Sequence, residues 1–392
     1  MESPRRITLA VGVAMFVDAS LYLAVVPLLP RYVERFHLSA FGAGVLVAAY
    51  PVAIPVVGLA CVPLLPRVGA RRIALASSGL MTVATVVFAF APNIAVLDVA
   101  RLLQGIASGT VWTASMAWVT HNAPTGRRGR ESGIVMGMLS AGSIAGPGVG
   151  ALAATAGSVL AFLLVAVASS AGLVLTVLAP AGRAVPSEPH LTGAIRGALR
   201  QPATRAGLAT VLIDSLAFGT IDLLVPLHLG KAGTSSATIA GALALGAVLG
   251  ISIGPISGRI VDRVGPGRVS LTMGCIVSVS PLLFALEPSI HTQLGLLIVL
   301  SPTFAVLGAA MFPLASQGAE AAGVQHIVVN GLQGAVWALG FTLAPLAMGA
   351  TAQATTDTTA FVLAAILSTP LLAILLRSVR HTPPPIRKDT AG

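Results

Sequence analysis

The chain runs in long apolar stretches broken by short clusters of charge, proline and glycine. Reading between those breaks gives twelve stretches, over about 8–29, 41–65, 73–91, 95–119, 132–156, 159–179, 205–229, 237–261, 269–287, 292–315, 327–349 and 359–376. Each approaches the ~20 apolar residues that a helix needs to cross a hydrocarbon core. None alternates polar with apolar positions, and all are about twice the length of a barrel strand, so the pattern predicts membrane helices, numbered here as spans 1 to 12. Most loops between them are short, which makes neighbouring spans antiparallel.

The second six spans repeat the first six. Asp18 and Asp214, Pro30 and Pro226, Gly58 and Gly254, Arg67 and Arg263, and Gly69 and Gly265 are each separated by 196 positions. The chain is a tandem duplication, and parallel repeats in so apolar a sequence point to a transporter with its substrate path between two equivalent bundles. The expected division is a six-helix bundle at 1–179, a linker at 180–204, a second bundle at 205–380 and a disordered tail at 381–392. The linker contains Pro180, Pro186 and Pro189 around a helix-compatible stretch from Leu191 to Leu199, and the tail carries Pro383-Pro384-Pro385.

Composition agrees with the pattern. Hydrophobic residues make up 55% of the 392 and charged residues 9%, against roughly 25% charged in a soluble domain. The first span follows Pro4-Arg5-Arg6 but is too long for a signal peptide and lacks a small-residue cleavage site, so it is expected to remain as a span. Cys61 and Cys275 both fall inside spans, which argues against a disulfide framework or a metal site. A net charge of +10 would suit a nucleic-acid binder, but its distribution does not. With the N-terminus inside, nineteen Lys and Arg fall in segments on one face, and only Arg31, Arg35 and Lys231 on the other. This is the asymmetry of membrane orientation, and it predicts that both termini are cytoplasmic. Lysine occurs only at 231 and 388 while arginine dominates, a bias that fits GC-rich coding and a bacterial cytoplasmic membrane.

Four sets of residues carry chemistry. After span 8 the chain reads Gly254-Pro-Ile-Ser-Gly258-Arg-Ile-Val-Asp262-Arg263-Val-Gly265-Pro-Gly-Arg268, and after span 2 the same frame holds Gly58, Arg67, Gly69, Arg71 and Arg72. Glycine permits tight turns and close helix approach, and Asp262 is able to answer an arginine or a helix N-terminus. Span 4 carries Arg101, Gln104, Gly105 and Gly109; an arginine two turns into a membrane helix costs roughly 2.5–3.5 kcal/mol and must face partners inside the bundle. Asp98, three residues earlier, is one candidate partner. Span 5 places Gly142, Gly146 and Gly150 four apart with Pro147 between them, a flat face for close packing. Span 1 buries Asp18 with Tyr22 one turn on, and span 7 repeats this with Asp214, Phe218 and then Asp222. Desolvation and a nearby guanidinium act in opposite senses on a carboxyl's proton affinity, so an Asp18/Arg101 pair would bind a proton in one conformation and release it in another. Trp112, Phe304, Phe312 and the span-11 face of Asn330, Gln333 and Trp337 are further cavity candidates.

The repeated loops resemble the signature loop of the major facilitator superfamily, Arg101-x-x-x-Gly105-x-x-x-Gly109 resembles its span-4 motif, and Gly142-x-x-x-Gly146-Pro147-x-x-Gly150 resembles the antiporter motif of its drug/proton exchangers, with Ala151 in place of the usual final Gly. The resemblance implies an all-α membrane protein with twelve transmembrane helices in two pseudo-symmetric six-helix bundles. It implies proton transfer at Arg101, proton coupling at a span-1 acid, here Asp18, and a gate latch in the Asp of the loop. Only the second loop keeps that acid: Pro66 stands opposite Asp262 and Val62 opposite Gly258. The expected function is therefore proton-coupled export of small lipophilic, cationic compounds by a monomer in membrane lipid, without nucleic acid or cofactor. No GxxxxGK loop occurs, so ATP is not the expected driving force, and no catalytic constellation points to an enzyme. A proton symporter or facilitator for a sugar or other metabolite shares this fold, and a non-transporting receptor or scaffold is the alternative of a different class.

Overall fold

A computed structural model describes residues 3–124, 127–183, 191–286 and 289–380. Pro186 and Pro189 of the linker and the tail from 381 lie outside the described residues. Those described contain helices and no strand. In chain order the helices are α1 (Ser3–Ala24), α2 (Leu29–Phe36), α3 (Ala40–Ala48), α4 (Ile54–Cys61), α5 (Leu65–Val68), α6 (Ala70–Ala89), α7 (Ile94–Asn122), α8 (Arg128–Ala156), α9 (Ser158–Leu178), α10 (Leu191–Arg200), α11 (Pro202–Lys231), α12 (Ser236–Ser252), α13 (Gly254–Val264), α14 (Pro266–Leu286), α15 (Ile290–Ala322), α16 (His326–Ala354) and α17 (Asp357–Arg380). Among the described residues eleven helical stretches are long and apolar enough to cross a membrane, and twelve if the bent pair α12 and α13 counts as one span.

Three spans are not the single helices that their apolar patterns predict. Span 1 ends as α1 at Ala24, and a 3-10 turn at Val26–Leu28, carrying Pro27, leads into α2. Span 2 is α3, α4 and α5 in series, joined by 3-10 turns at Pro51–Ala53 and Val62–Leu64. Pro51, Pro55, Pro63 and Pro66 each occupy the first turn of a new segment, where a missing N–H costs least. Span 8 bends by 47° between α12 and α13, where Gly254-Pro255 restarts the helix.

The duplication extends to the caps and turns. Ser39 caps α3 by accepting from the Gly42 N–H, and Ser235, 196 positions on, caps α12 by accepting from Thr238 N–H. Gly69 and Gly265 both turn the chain with positive φ, 88° and 92°, a conformation open chiefly to glycine.

Within the first half α1 lies along α8, and α6 joins α7 to α9; within the second, α11 is packed by α14, α15, α16 and α17. The halves meet through α3 on α16 and α8 on α12. Close glycine-seated approaches sit at the end far from the termini: Gly44 against the Pro345 carbonyl, Gly349 against the Ala40 carbonyl and Gly230 against the Pro30 ring. Across the same seam the Phe41 N–H donates to Gln353 Oε1 at 3.3 Å. At the opposite face, which carries the termini and is called here the terminal face, α5 and α13 pack mainly within their own halves. Gly254 and Gly258 have open space beside them. The bundles are therefore joined at the far end and parted at the terminal face. Linker helix α10 is fastened to the second half, with Ala198 buried against Ala315, Ala319 and Val329.

Candidate functional site

The polar centre lies where α1, α7 and the joint between α3 and α4 converge. Asp18, 5% exposed, accepts a 2.5 Å hydrogen bond from the Tyr50 hydroxyl on Oδ1 and a 3.1 Å bond from Trp112 Nε1 on Oδ2. Ser108, one turn before Trp112 on α7, faces the same carboxyl. Arg101, 1% exposed, sits with its Cζ 4.5 Å from the centre of the Tyr50 ring. Its Nη1 donates to the Leu21 carbonyl at 3.0 Å and to Gln104 Oε1 at 3.3 Å. Leu21 is in the last turn of α1, where carbonyls lose their intrahelical donors. Gln104 is held in turn by Thr85 Oγ1 at 3.4 Å.

The direct Asp18/Arg101 pair expected from the sequence is not made. Among the described residues no ion pair joins Arg101 to Asp18 or to Asp98, and Asp98 Oδ1 is buried without a partner. Tyr50 takes the intervening place, offering its hydroxyl to the acid and its ring face to the guanidinium, a stacking that arginine favours. Carboxyl, phenol and guanidinium form a chain in which no two opposite charges touch.

Beside this centre an aromatic layer crosses the seam between the halves. Tyr22 lies 5.5 Å from Tyr50, 5.5 Å from Phe341 and 5.7 Å from Trp337, ring centre to ring centre. Trp337 and Phe341 are 4.4 Å apart, Phe218 is 5.7 Å from Phe341, and Phe304 is 5.2 Å from Phe218. Tyr22, Phe218 and Trp337 thus come together. Along α11, Asp214 stands one turn from Phe218 toward the terminal face, and Asp222 one turn beyond it toward the far end. Both are buried, at 9% and 3% exposure. The Tyr22 hydroxyl, Arg101 Nε and Asp222 Oδ2 are buried without hydrogen-bond partners, and the Tyr22 phenol lies within the fields of both Arg101 and Asp222. Buried polar atoms are rarely left unpaired, so this cluster marks a place where a polar ligand group or proton would be satisfied.

Other sequence candidates fall elsewhere. Gln104 and Gln333 are both buried, and Gln333 ties α16 to α15 by donating to the Met311 carbonyl at 3.0 Å. Asn330 is exposed nearer the terminal face, and Phe312 is also exposed. On α8, Gly142, Gly146 and Gly150 let its backbone touch α1 at Phe16, Ser20 and Ala24, and Ser20 Oγ donates to the Gly142 carbonyl at 3.1 Å. Pro147 lies buried within that helix. At the terminal face Arg71 donates to the carbonyls of Thr176 and Val177, closing the end of α9. Arg67, Asp262, Arg263 and Arg268 are exposed. Among the described residues no ion pair joins Asp262, the acid expected to latch the gate, to a basic side chain. Tyr50 and Phe341 are the residues that sequence reasoning missed. Tyr50 is one of three tyrosines and precedes Pro51 inside an apolar run, and its equivalent 196 positions on is Gly246.

Comparison with known proteins bears on the whole arrangement. The family model described as Major Facilitator Superfamily matches residues 8–330. A probable vesicular acetylcholine transporter-A of Danio rerio is 33% identical over 204 residues, covering 46% of this chain and 40% of that one. Quinolone resistance protein NorA of Staphylococcus aureus is 26% identical over 126 residues, covering 32% of each. The match therefore spans less than half the length of either relative. Among solved structures, a bacterial homologue of the human lysosomal transporter Spinster, in an inward-facing and unoccupied conformation, superimposes with a TM-score of 0.77 at 13% identity. It covers 97% of this chain and 98% of that chain, a likeness of fold alone.

Proposed function

The chain belongs to the major facilitator superfamily, a multi-pass membrane transporter and not an enzyme, and we propose that it exports small lipophilic cations in exchange for protons. The observation that carries this reading is Asp18, buried within the first half one turn from Tyr22 at the seam, and held by Tyr50 and Trp112, with no ion pair to it among the described residues. Both of these partners donate. An ionised carboxyl satisfies them, and a protonated one offers a hydrogen where one of them needs a lone pair. Proton binding at Asp18 therefore replaces a charge-assisted hydrogen bond by a neutral one of reversed direction at Tyr50, and only a difference of this kind between states couples an ion to a conformation.

The terminal face is the cytoplasmic one on this reading, from the distribution of Lys and Arg. The conformation described then opens to the cytoplasm of a bacterial cell. Protonation of Asp18 from outside favours return to this state, and substrate binding with release of the proton favours outward opening. Around the aromatic layer three buried acids, Asp18, Asp214 and Asp222, against the single buried Arg101 favour a cationic substrate, and the rings offer it their faces. The names of the relatives, an acetylcholine transporter and a quinolone resistance protein, are compatible with this class. A one-for-one exchange of a monovalent cation for a proton moves no net charge and is driven by the pH difference, about 1.4 kcal/mol or tenfold per pH unit; each additional proton taken in adds ~2.3 kcal/mol per 100 mV of membrane potential.

Everted vesicles test the reading. Asp18→Asn is expected to lower proton-driven uptake of a fluorescent organic cation by more than about tenfold, ~1.4 kcal/mol of coupling. Wild-type uptake by that variant would remove Asp18 from the mechanism.

A further inference from the structure

Tyr50 occupies a joint as well as a contact. It lies between the end of α3 and the 3-10 turn at Pro51–Ala53, and Pro51 leaves the Val47 carbonyl without its helical donor, so span 2 is free to bend there. On one side of the joint, α3 seals the far end against α16 through Gly44 and Ala40. On the other, α4 and α5 run to the turn at Arg67-Val68-Gly69 on the terminal face. The joint has a fixed point about which to bend: the Tyr50 carbonyl rests on Gly105 of α7, where any Cβ would collide with it. Only the side chain is left to report on its surroundings, and its hydroxyl reports on Asp18.

We propose that Tyr50 is the positioning residue that converts the proton occupancy of Asp18 into the bend of span 2, and so into the opening and closing of the two ends. This rests on Asp18 being the proton site. With Asp18 ionised, the Tyr50 O–H donates to Oδ1 at 2.5 Å, within the range of charge-assisted bonds, which are roughly twice as strong as neutral ones. When a proton binds Oδ1, the carboxyl becomes the donor there. The phenol keeps its own proton, turns it away and accepts in its place, so no further proton moves. The Trp112 N–H has no such freedom, being a donor only. The tie between α1 and span 2 is thereby weakened while the Tyr50 ring stays under Arg101. The charged or titratable groups facing the pair are Arg101 from α7 and Tyr22 from α1, and Asp222 of α11 acts through Tyr22.

Val68 and Val264 are equivalent exposed positions on the two terminal-face loops, at 40% and 48% exposure. Spin labels at Val68→Cys and Val264→Cys, in full-length protein carrying Cys61→Ala and Cys275→Ser in lipid nanodiscs, report the parting of the halves by distance measurement across a pH series. The labelled parent is expected to change its distance distribution with a single pH midpoint. Asp18→Asn abolishes that response, Tyr50→Phe, which keeps the ring, abolishes or displaces it, and 3,5-difluorotyrosine at position 50, a stronger donor, moves the midpoint to lower pH. Tyr50 substitutions that leave the midpoint unchanged where Asp18→Asn abolishes the response overturn the role of Tyr50 alone. A response that survives Asp18→Asn, or a parent indifferent to pH, overturns the proton site and this inference with it.

Discussion

A guanidinium buried in a membrane helix brings five N–H donors in one plane, and Arg101 places one nitrogen on Leu21 and Gln104, rests its face on Tyr50 and leaves Nε unmatched. Its place depends on shape as well as charge. A lysine carries the charge but neither the plane nor the fork, so Arg101→Lys is expected to lose most proton-driven transport, by roughly tenfold or more, despite conserving charge. Arg101→Ala is expected to lose it too and to lower thermal stability, because unpaired buried acceptors cost about 1–3 kcal/mol. Transport and melting temperature of the two purified variants decide the matter, and wild-type transport by Arg101→Lys would show that charge alone suffices. Asp18 and Arg101 were legible in the sequence because a charge inside an apolar run is conspicuous; Trp112 was legible only as one aromatic among the cavity candidates, not as a donor to Asp18. Tyr50 was not, since an aromatic residue in such a run looks like any packing residue until the fold sets it between positions 18 and 101.

At the scale of the helix, α8 lies so close along α1 that a Cβ at Gly146 would stand 2.8 Å from Leu23 Cβ and 2.9 Å from the Ser20 carbonyl. Gly148, two residues on, faces open space. Overpacking a tight contact costs about 1–3 kcal/mol, and here it would displace the helix that carries Asp18. Gly146→Val is therefore expected to lower the melting temperature and to uncouple transport, while Gly148→Val leaves both near wild type. Equal behaviour of the two variants would mean that the spacing on α8 does not position α1. The four-residue spacing told of this packing in advance, and apolar length told of the twelve crossings. The break in span 2 was less legible because proline does not decide it alone: Pro147, Pro226, Pro281, Pro302, Pro313, Pro345 and Pro370 all lie inside continuous helices. In a bundle, neighbouring helices re-satisfy the freed carbonyls, so whether a proline bends or breaks a span depends on tertiary contacts.

For the molecule as a whole, the duplication gives two similar bundles and a seam that is itself repeated, α3 on α16 being answered 196 positions away by α12 on α8, yet the glycines that seat the chain along it are not repeated. Gly349 seats the Ala40 carbonyl, and its equivalent 196 positions earlier is Ala153; Gly230 seats the Pro30 ring, and its equivalent is Glu34. These contacts exist only where the far end is closed, so they weigh on one conformation and not the other. A Cβ at Gly349 would lie 2.7 Å from the Ala40 carbonyl, which is backbone and unable to swing aside as a side chain would. If a valine there costs the closed far end about 1–3 kcal/mol, the equilibrium between the two conformations moves by roughly 5- to 150-fold, enough to invert a balanced population. Gly349→Val is accordingly expected to shift the molecule toward an open far end and a closed terminal face. The distance between labels at Val68→Cys and Val264→Cys should then shorten relative to the labelled parent. An unchanged or longer distance would mean that the seam at Gly349 yields without opening, and that closure of the far end is held elsewhere along α3 and α16.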